Sequence, residues 1–172
     1  YEHLDILPAH KSFRNLDLML NDMKKPRKRL RQVLNGFQEH YDLVVLDSTP
    51  TISLVAENLF NTSDTILVPV VPTTLSQRTY EQLLAFFKKR EYRTDRVTGF
   101  FSMVKSRSRL HRDTIEAMRQ QYPDFLLTQI PLSADVEKMG IHREPVGGYA
   151  RRRVAAKAYD QLGEEVLERI GL

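Results

Sequence analysis

Tyr41-Asp42-Leu43-Val44-Val45-Leu46-Asp47-Ser48-Thr49-Pro50 is the stretch on which the fold turns. Its apolar centre is rich in valine and does not alternate with polar residues. A strand with one wet face alternates, whereas a strand covered on both faces does not. Residues 41–47 therefore read as a doubly buried strand that delivers one carboxylate to its carboxyl tip, with a turn directly after. Residues 65–71 (T-I-L-V-P-V-V) read the same way. Pro69 is a blemish there, because proline donates nothing to a ladder. Residues 97–104 and 126–130, the latter closed by Pro131, are further strands, and residues 4–7 before Pro8 form a short one.

Helical patterns fill the intervals. Residues 13–23 set Leu16, Met19, Leu20 and Met23 at three- and four-residue spacing, with both methionines as core fillers. Pro26 opens a second helix that lines up Leu30, Val33, Leu34 and Phe37. Residues 54–61 make a short helix, and residues 76–92 a long one holding Tyr80, Leu83, Leu84 and Phe87. Residues 110–122 and 133–140 follow. Residues 150–170 close the chain with Ala155, Ala158, Tyr159, Leu162, Val166 and Leu167 facing inward. Alternating strands and helices with buried strands predict an α/β fold: a doubly wound, mostly parallel sheet with helices on both faces. Ligands of such folds sit at the carboxyl ends of strands.

Composition narrows the classes. A length of 172 residues suits one domain over 1–172. Apolar runs fall far short of the roughly 20 residues that span a bilayer, and no secretory signal opens the chain. The first residue is Tyr, so a segment upstream is expected. Cysteine is absent, which excludes disulfide scaffolds and thiolate metal sites. The net charge of +4 and pI near 9.4 lean mildly toward polyanions. His3, His10, His40, His111 and His142 have no i, i+4 pair and no metalloprotease pattern. Ser102, Ser106 and Ser108 lack a nucleophile elbow. Phe86, Phe87, Phe100 and Phe101 lie in strand or helix patterns and read as core rather than as a base-stacking platform.

Asp47 carries the strongest chemical signal. Apolar residues ending in Asp at a strand tip make a Walker-B-like position, where a carboxylate meets Mg²⁺ directly or through water. The plainer reading is a carboxylate that caps the next turn. A response-regulator acceptor is a rival. That class needs an acidic pair after its first strand and a lysine after a later one. Leu7-Pro8-Ala9-His10 and Ile130-Pro131 offer neither.

Several windows in one order carry a family resemblance. They are L-D-I-L-P-A at 4–9, the 41–50 stretch, and Glu57-Asn58-Leu59 with Asp64. Next come Leu67-Val68-Pro69-Val70, R-S-R-L-H-R-D-T at 107–114, and Ile130-Pro131 with Asp135-Val136. Glu144-Pro145-Val146 through Arg153 and A-A-K-A-Y at 155–159 complete the set. Together they resemble the ParA-type partition ATPases, deviant Walker-A P-loop proteins related to MinD. The likeness covers almost the whole chain.

The resemblance implies ATP and Mg²⁺ as cofactors. It makes Asp47 the catalytic aspartate that supports Mg²⁺ through water near the γ-phosphate. Residues 48–53, with Ser48, Thr49 and Pro50 at their head, become the phosphate-sensing switch. The family places two prolines after the Asp-x pair, where this chain has Thr49-Pro50. Glu57 and Asn58 fall near the face that pairs with a second subunit over ATP. Met103 and Val104, with Pro131, Leu132 and Ser133, line the adenine pocket. The family's K-G-G-x-G-K-[ST] loop has no counterpart in these residues; Gly147-Gly148 is the sole glycine pair. A phosphate cradle needs such a loop. The chain therefore reads as the last two-thirds of the family's domain, P-loop NTPase-like but incomplete at its N-terminus, and unable alone to hydrolyse ATP.

Three basic clusters remain. Lys24, Lys25, Arg27, Lys28, Arg29 and Arg31 around Pro26 read as a solvated helix face. Lys105, Arg107, Arg109 and Arg112, and then Arg151, Arg152, Arg153 and Lys157, read as DNA contacts. Family members bind DNA without sequence preference through such residues, and cations at a helix start oppose its dipole. The implied partners are non-specific DNA, a second copy in the ATP state, and a ParB-like activator, in a cytoplasmic, nucleoid-associated setting. The chain ends on its last helix without a basic amphipathic tail, which disfavours membrane targeting. A catalytically inactive DNA- or partner-binding module of the same fold is the alternative.

Overall fold

Ile66–Val70, Val97–Val104 and Gln129–Pro131 form β1, β2 and β3 of a parallel sheet in that order. The computed structural model describes residues 2–37, 39–48 and 51–172. Contacts divide the chain into two compact units, Tyr1–Asp64 and Thr65–Leu172.

The second unit holds the sheet. Central β2 buries Val97, Thr98 and Gly99 in succession, as a strand covered on both faces must. Pro69 sits on β1, which pairs with β2 alone among the described strands, and there a missing donor is tolerated. Thr74–Lys89 (α4) and Arg109–Gln121 (α5) connect the strands, and Val154–Ile170 (α9) closes the chain. Three short helices lie between: Ala134–Glu137 (α6), Met139–His142 (α7) and Val146–Tyr149 (α8). The α/β, doubly wound class expected from the sequence is the observed one. Side chains fix the helix starts: Thr73, Ser108 and Ser133 each accept a backbone N–H of the first turn. Gly171 ends α9 at φ 81°, a conformation glycine adopts at little cost.

Gly99 sets the packing. A β-carbon at this position would lie 2.3–2.6 Å from ring carbons of Phe125. Its absence lets that ring lie on the strand, stacked on Phe101 at 4.7 Å and edge-on to Tyr80 at 5.1 Å. Burial, with Tyr122 and Asp124 nearby, pushes the Tyr80 hydroxyl up to about 12. On another part of the unit Leu126, Ile130, Ala158 and Leu162 cluster with Phe100 and Val166. Phe87 and Phe101 are fully buried, as aromatics in core patterns should be, whereas Tyr159 and Leu167 on α9 are more than one-third exposed instead of inward.

β3 begins three residues later than the sequence suggests. The backbone of residues 126–128 finds other partners. Leu126 donates to the Gly99 carbonyl at 2.8 Å. Arg119 donates to the carbonyls of Leu126 and Leu127, and Glu165 accepts the N–H groups of Leu127 and Thr128. With those groups satisfied, a ladder is not needed there. Burial alone would raise the Glu165 carboxyl, but the two N–H groups, with the Thr128 hydroxyl and the Arg119 charge, more than offset it and hold it below its ordinary value.

The first unit is helical. Its elements are Leu16–Asn21 (α1), Arg29–Leu34 (α2), Leu54–Thr62 (α3), and two 3-10 turns, Lys11–Asn15 and Pro26–Lys28. The strands expected at 4–7 and 41–47 are not formed. Ile6 and Val45 are 78% and 80% exposed, and these residues join no ladder. A strand is stable only when a neighbour takes its N–H and C=O groups and a layer covers its face. The Tyr41 hydroxyl donating to Asp5 at 2.6 Å ties the two segments. Met19 and Met23 are likewise exposed rather than core, because six-residue α1 buries Leu20 alone.

Replacing Gly99→Ala should lower stability by about 2 kcal/mol, within the usual cost of overpacking. The urea midpoint reads it. The double change with Phe125→Leu should recover part of the loss, and an unchanged midpoint in the single variant would show that the ring moves aside freely.

Candidate functional site

The carboxyl ends of β2 and β3 gather the residues expected at a nucleotide base. Phe101 pairs with Gln129, but Val104 pairs with Pro131, so β2 carries one residue more than β3 over that interval. This bulge centres on Met103, which sits at φ 53°. A left-handed backbone costs a side-chain-bearing residue roughly 1–2 kcal/mol, and such strain collects where a strand end is re-aimed. Beyond it the Val104 carbonyl accepts the Leu132 N–H at 3.0 Å. Ser133 then turns its hydroxyl to the Asp135 N–H at the start of α6. Met103 and Leu132 are 50% and 40% exposed. Met103, Val104, Pro131, Leu132 and Ser133 thus form one open rim with apolar side chains and backbone groups, a surface chemistry suited to a flat heteroaromatic ring.

Asp47 and Ser48 belong to the first unit and are exposed. Thr49 and Pro50, expected in the switch, lie outside the described residues. A carboxylate and a hydroxyl are hard oxygen donors, the type Mg²⁺ prefers, and an open position suits an ion that keeps most ligands as water or phosphate oxygen. Among the described residues no three His, Asp or Glu side chains converge into a protein-only metal cage.

Glu57 and Asn58 have partners within their own unit. Both are buried on α3, 6% and 2% exposed. Asn58 Oδ1 accepts the N–H of Arg29 at 2.9 Å and of Leu30 at 3.2 Å. Its Nδ2 donates to the carbonyls of Pro26 at 2.7 Å and Leu54 at 2.8 Å. Glu57 accepts from Arg27 Nε at 2.9 Å.

The second and third basic clusters are exposed throughout. Lys105, Arg107, Arg109 and Arg112 follow the end of β2, on the loop and first turn leading into α5. Arg151 and Arg152 precede α9, Arg153 stands at its cap, and Lys157 lies one turn in. Arg153 approaches Asp135, just past β3, at 3.8 Å, so this cluster and the one after β2 lie toward the same end of the sheet. Arg109–Asp113 at 3.6 Å is exposed on both sides and contributes little to stability, and in the first pair Arg153 is exposed while Asp135 is half-buried. The Tyr149 hydroxyl donates to the Asp135 carbonyl, and its ring stacks on His142 at 4.1 Å.

His111 is the residue that sequence reasoning missed. It is 7% exposed, and its Nδ1 accepts the N–H of Lys105 at 3.2 Å. Its own N–H donates to Ser108 Oγ at 3.3 Å. One imidazole therefore shapes the loop that displays the second cluster. Ser108 before an amphipathic stretch was readable as a cap, but a lone histidine gave no sign of burial.

Comparison with known proteins adds the lineage. The family profile described as an AAA domain, AAA_31, matches residues 1–98. The sporulation initiation inhibitor protein Soj of Bacillus subtilis is 25% identical over 170 residues, covering 96% of this chain and 67% of Soj. A ParA family protein of Chlamydia pneumoniae is 25% identical, covering 95% of this chain and 66% of its own length. Among solved structures, a plasmid partition protein of Borrelia burgdorferi B31 bound to AMPPNP superposes with a TM-score of 0.80. It is 16% identical and covers 95% of this chain and 64% of its own. The chain spans about two thirds of the length of these proteins.

Strain at Met103 makes a test that runs against strand propensity. Met103→Val places a good strand former in β2 but a β-branched residue at positive φ. It should destabilise by the crowding that the β-branch adds to the left-handed cost methionine already bears, measured by thermal or urea unfolding, while Met103→Gly, which sheds that cost, should be tolerated.

Proposed function

The chain belongs to the AAA_31 family of AAA domains, and on that premise we propose that it serves a ParA-type partition ATPase. The complete protein binds ATP with Mg²⁺, pairs with a second copy in that state, and coats DNA without sequence preference. A ParB-like activator triggers hydrolysis and release. It works in the cytoplasm, on the nucleoid. Among the described residues no helix is long and apolar enough to cross a membrane.

One observation carries the reading beyond lineage. The rim formed by Met103, Val104, Pro131, Leu132 and Ser133 and two exposed basic clusters share the carboxyl end of one parallel sheet. That is where doubly wound folds bind ligands. A nucleotide and a polyanion held at one end of a sheet can influence each other through short loops.

In this reading Met103 and Leu132 pack the base from the side, and backbone groups near Val104 and Ser133 face its edge. Asp47 orients water on Mg²⁺, and the ion supplies charge neutralisation at the phosphates. Ser48, Thr49 and Pro50 respond to the terminal phosphate. Buried Glu57 and Asn58 hold α3 behind the subunit face rather than reach across it. Lys105, Arg107, Arg109, Arg112, Arg151, Arg152, Arg153 and Lys157 neutralise DNA phosphates.

Two changes in the complete protein test separate halves of this proposal. Asp47→Ala should cut Mg²⁺-dependent ATP turnover by about 10²-fold or more, on the scale of losing a charge-stabilising group; unchanged turnover removes the metal role. The double change Arg151→Glu and Arg152→Glu should weaken DNA binding. It should also reduce the log–log salt slope by about two, and an identical slope returns both arginines to an ordinary solvated face.

A further inference from the structure

The first basic cluster reads from sequence as a solvated face, and Lys24, Lys25, Arg27, Lys28 and Arg31 are exposed, but its charge is of one sign. Six cations lie between Lys24 and Arg31, and no acidic residue occurs from Met23 to Gln38. Ordinary solvated faces mix both signs, since like charges one turn apart repel. Among the described residues the one ion pair recorded in this run is Arg27 with Glu57 at 2.9 Å.

The turn is also built rather than loose. Lys25 is held at φ 56°, ψ 56°, a left-handed conformation costly for lysine. Lys28 N–H closes on the Lys25 carbonyl at 3.1 Å. Asn58 fixes Pro26, Arg29 and Leu30 through three hydrogen bonds, and Glu57 fixes Arg27 through its Nε. Two buried polar side chains on α3, one of them the carboxylate of Glu57, are thus committed to holding a strained turn whose own sequence carries no acid. Lys25, Pro26, Arg27 and Lys28 border a shallow, open hollow of about 280 Å³. Concentrated like charge and a strained backbone persist only where the surroundings impose them, and together they point to a ligand of opposite sign.

We propose that the Lys24–Arg31 turn is a further phosphodiester-binding surface, which takes the backbone of a nucleic acid with phosphates seated against Lys25, Arg27 and Lys28. The planar Arg27 guanidinium, anchored at Nε, is oriented for phosphate oxygens, and the flanking ammonium groups act as point charges. A nucleic acid is the occupant because the chemistry repeats that of the clusters at Lys105–Arg112 and Arg151–Lys157, whose role in the proposed function this inference rests on. Contacts of this kind read backbone rather than sequence.

The test uses the complete encoded protein and random-sequence duplex DNA, with Kd measured across a series of salt concentrations. The pair Lys25→Gln and Lys28→Gln should lower the magnitude of the log–log salt slope by about two. The equal-charge control Lys88→Gln and Lys89→Gln, at the exposed end of α4, should leave it unchanged. An equal loss in the control would mean net charge alone and would overturn the proposal. A slope reduced by the Arg151 and Arg152 changes but not by those at Lys25 and Lys28 would overturn this surface while leaving the proposed function intact. Failure of the unaltered protein to bind DNA would overturn both. Loss of binding to phosphatidylserine vesicles, with DNA binding kept, would reassign the turn to a lipid surface.

Discussion

The close approach of Phe125 to the bare backbone of Gly99 is the constraint from which the sheet-bearing unit follows. A ring can lie flat on a central strand only where a side chain is missing. Once seated, it joins Tyr80, Phe101 and Tyr122 in one aromatic group and places Leu126 to donate to the Gly99 carbonyl. Arg119, lying 5.7 Å over the Phe101 ring, then reaches the carbonyls that follow. Glu165 closes the same segment from α9. A contact between one glycine and one phenylalanine thereby fixes where β3 starts and where the last helix docks.

Much of this fold was legible because burial on both faces leaves an unalternating apolar run, and β1 and β2 show one. Helix starts were legible through their capping hydroxyls, although boundaries moved by a few residues, as at Val154 instead of Ala150. Residues 41–47 misled for a physical reason. The pattern records that a strand would be covered, but it does not contain the neighbour that covers it. Val45 carries the right side chain for a core and lies in the open. The late start of β3 was not legible either. Long side chains from α5 and α9 satisfy its backbone, and no local rule foresees a partner about 40 positions away.

The rim at Met103 and Leu132 was reached through resemblance rather than periodicity, and its geometry could not have been read at all. Nothing in V-T-G-F-F-S-M-V announces a left-handed methionine. Buried polar residues proved equally silent. Asn58 and His111 look like ordinary surface residues in a one-dimensional reading, yet each organises a basic loop by hydrogen bonding to its backbone. Burying a polar group is tolerable only when its hydrogen bonds are supplied. That requirement is what converts these two side chains into loop-shaping elements.

The extra residue in β2 also changes how this chain is to be compared with its relatives. On a regular strand, odd and even positions keep to opposite faces. With three steps on β2 matched to two on β3, that parity inverts at Met103. Residues before and after it assign odd and even positions to opposite faces. A substitution pattern tallied along the strand would therefore change phase in the middle without any change in secondary structure. Loss of a single residue there would be a minor edit to the sequence and to the topology. It would nonetheless restore the regular ladder between β2 and β3.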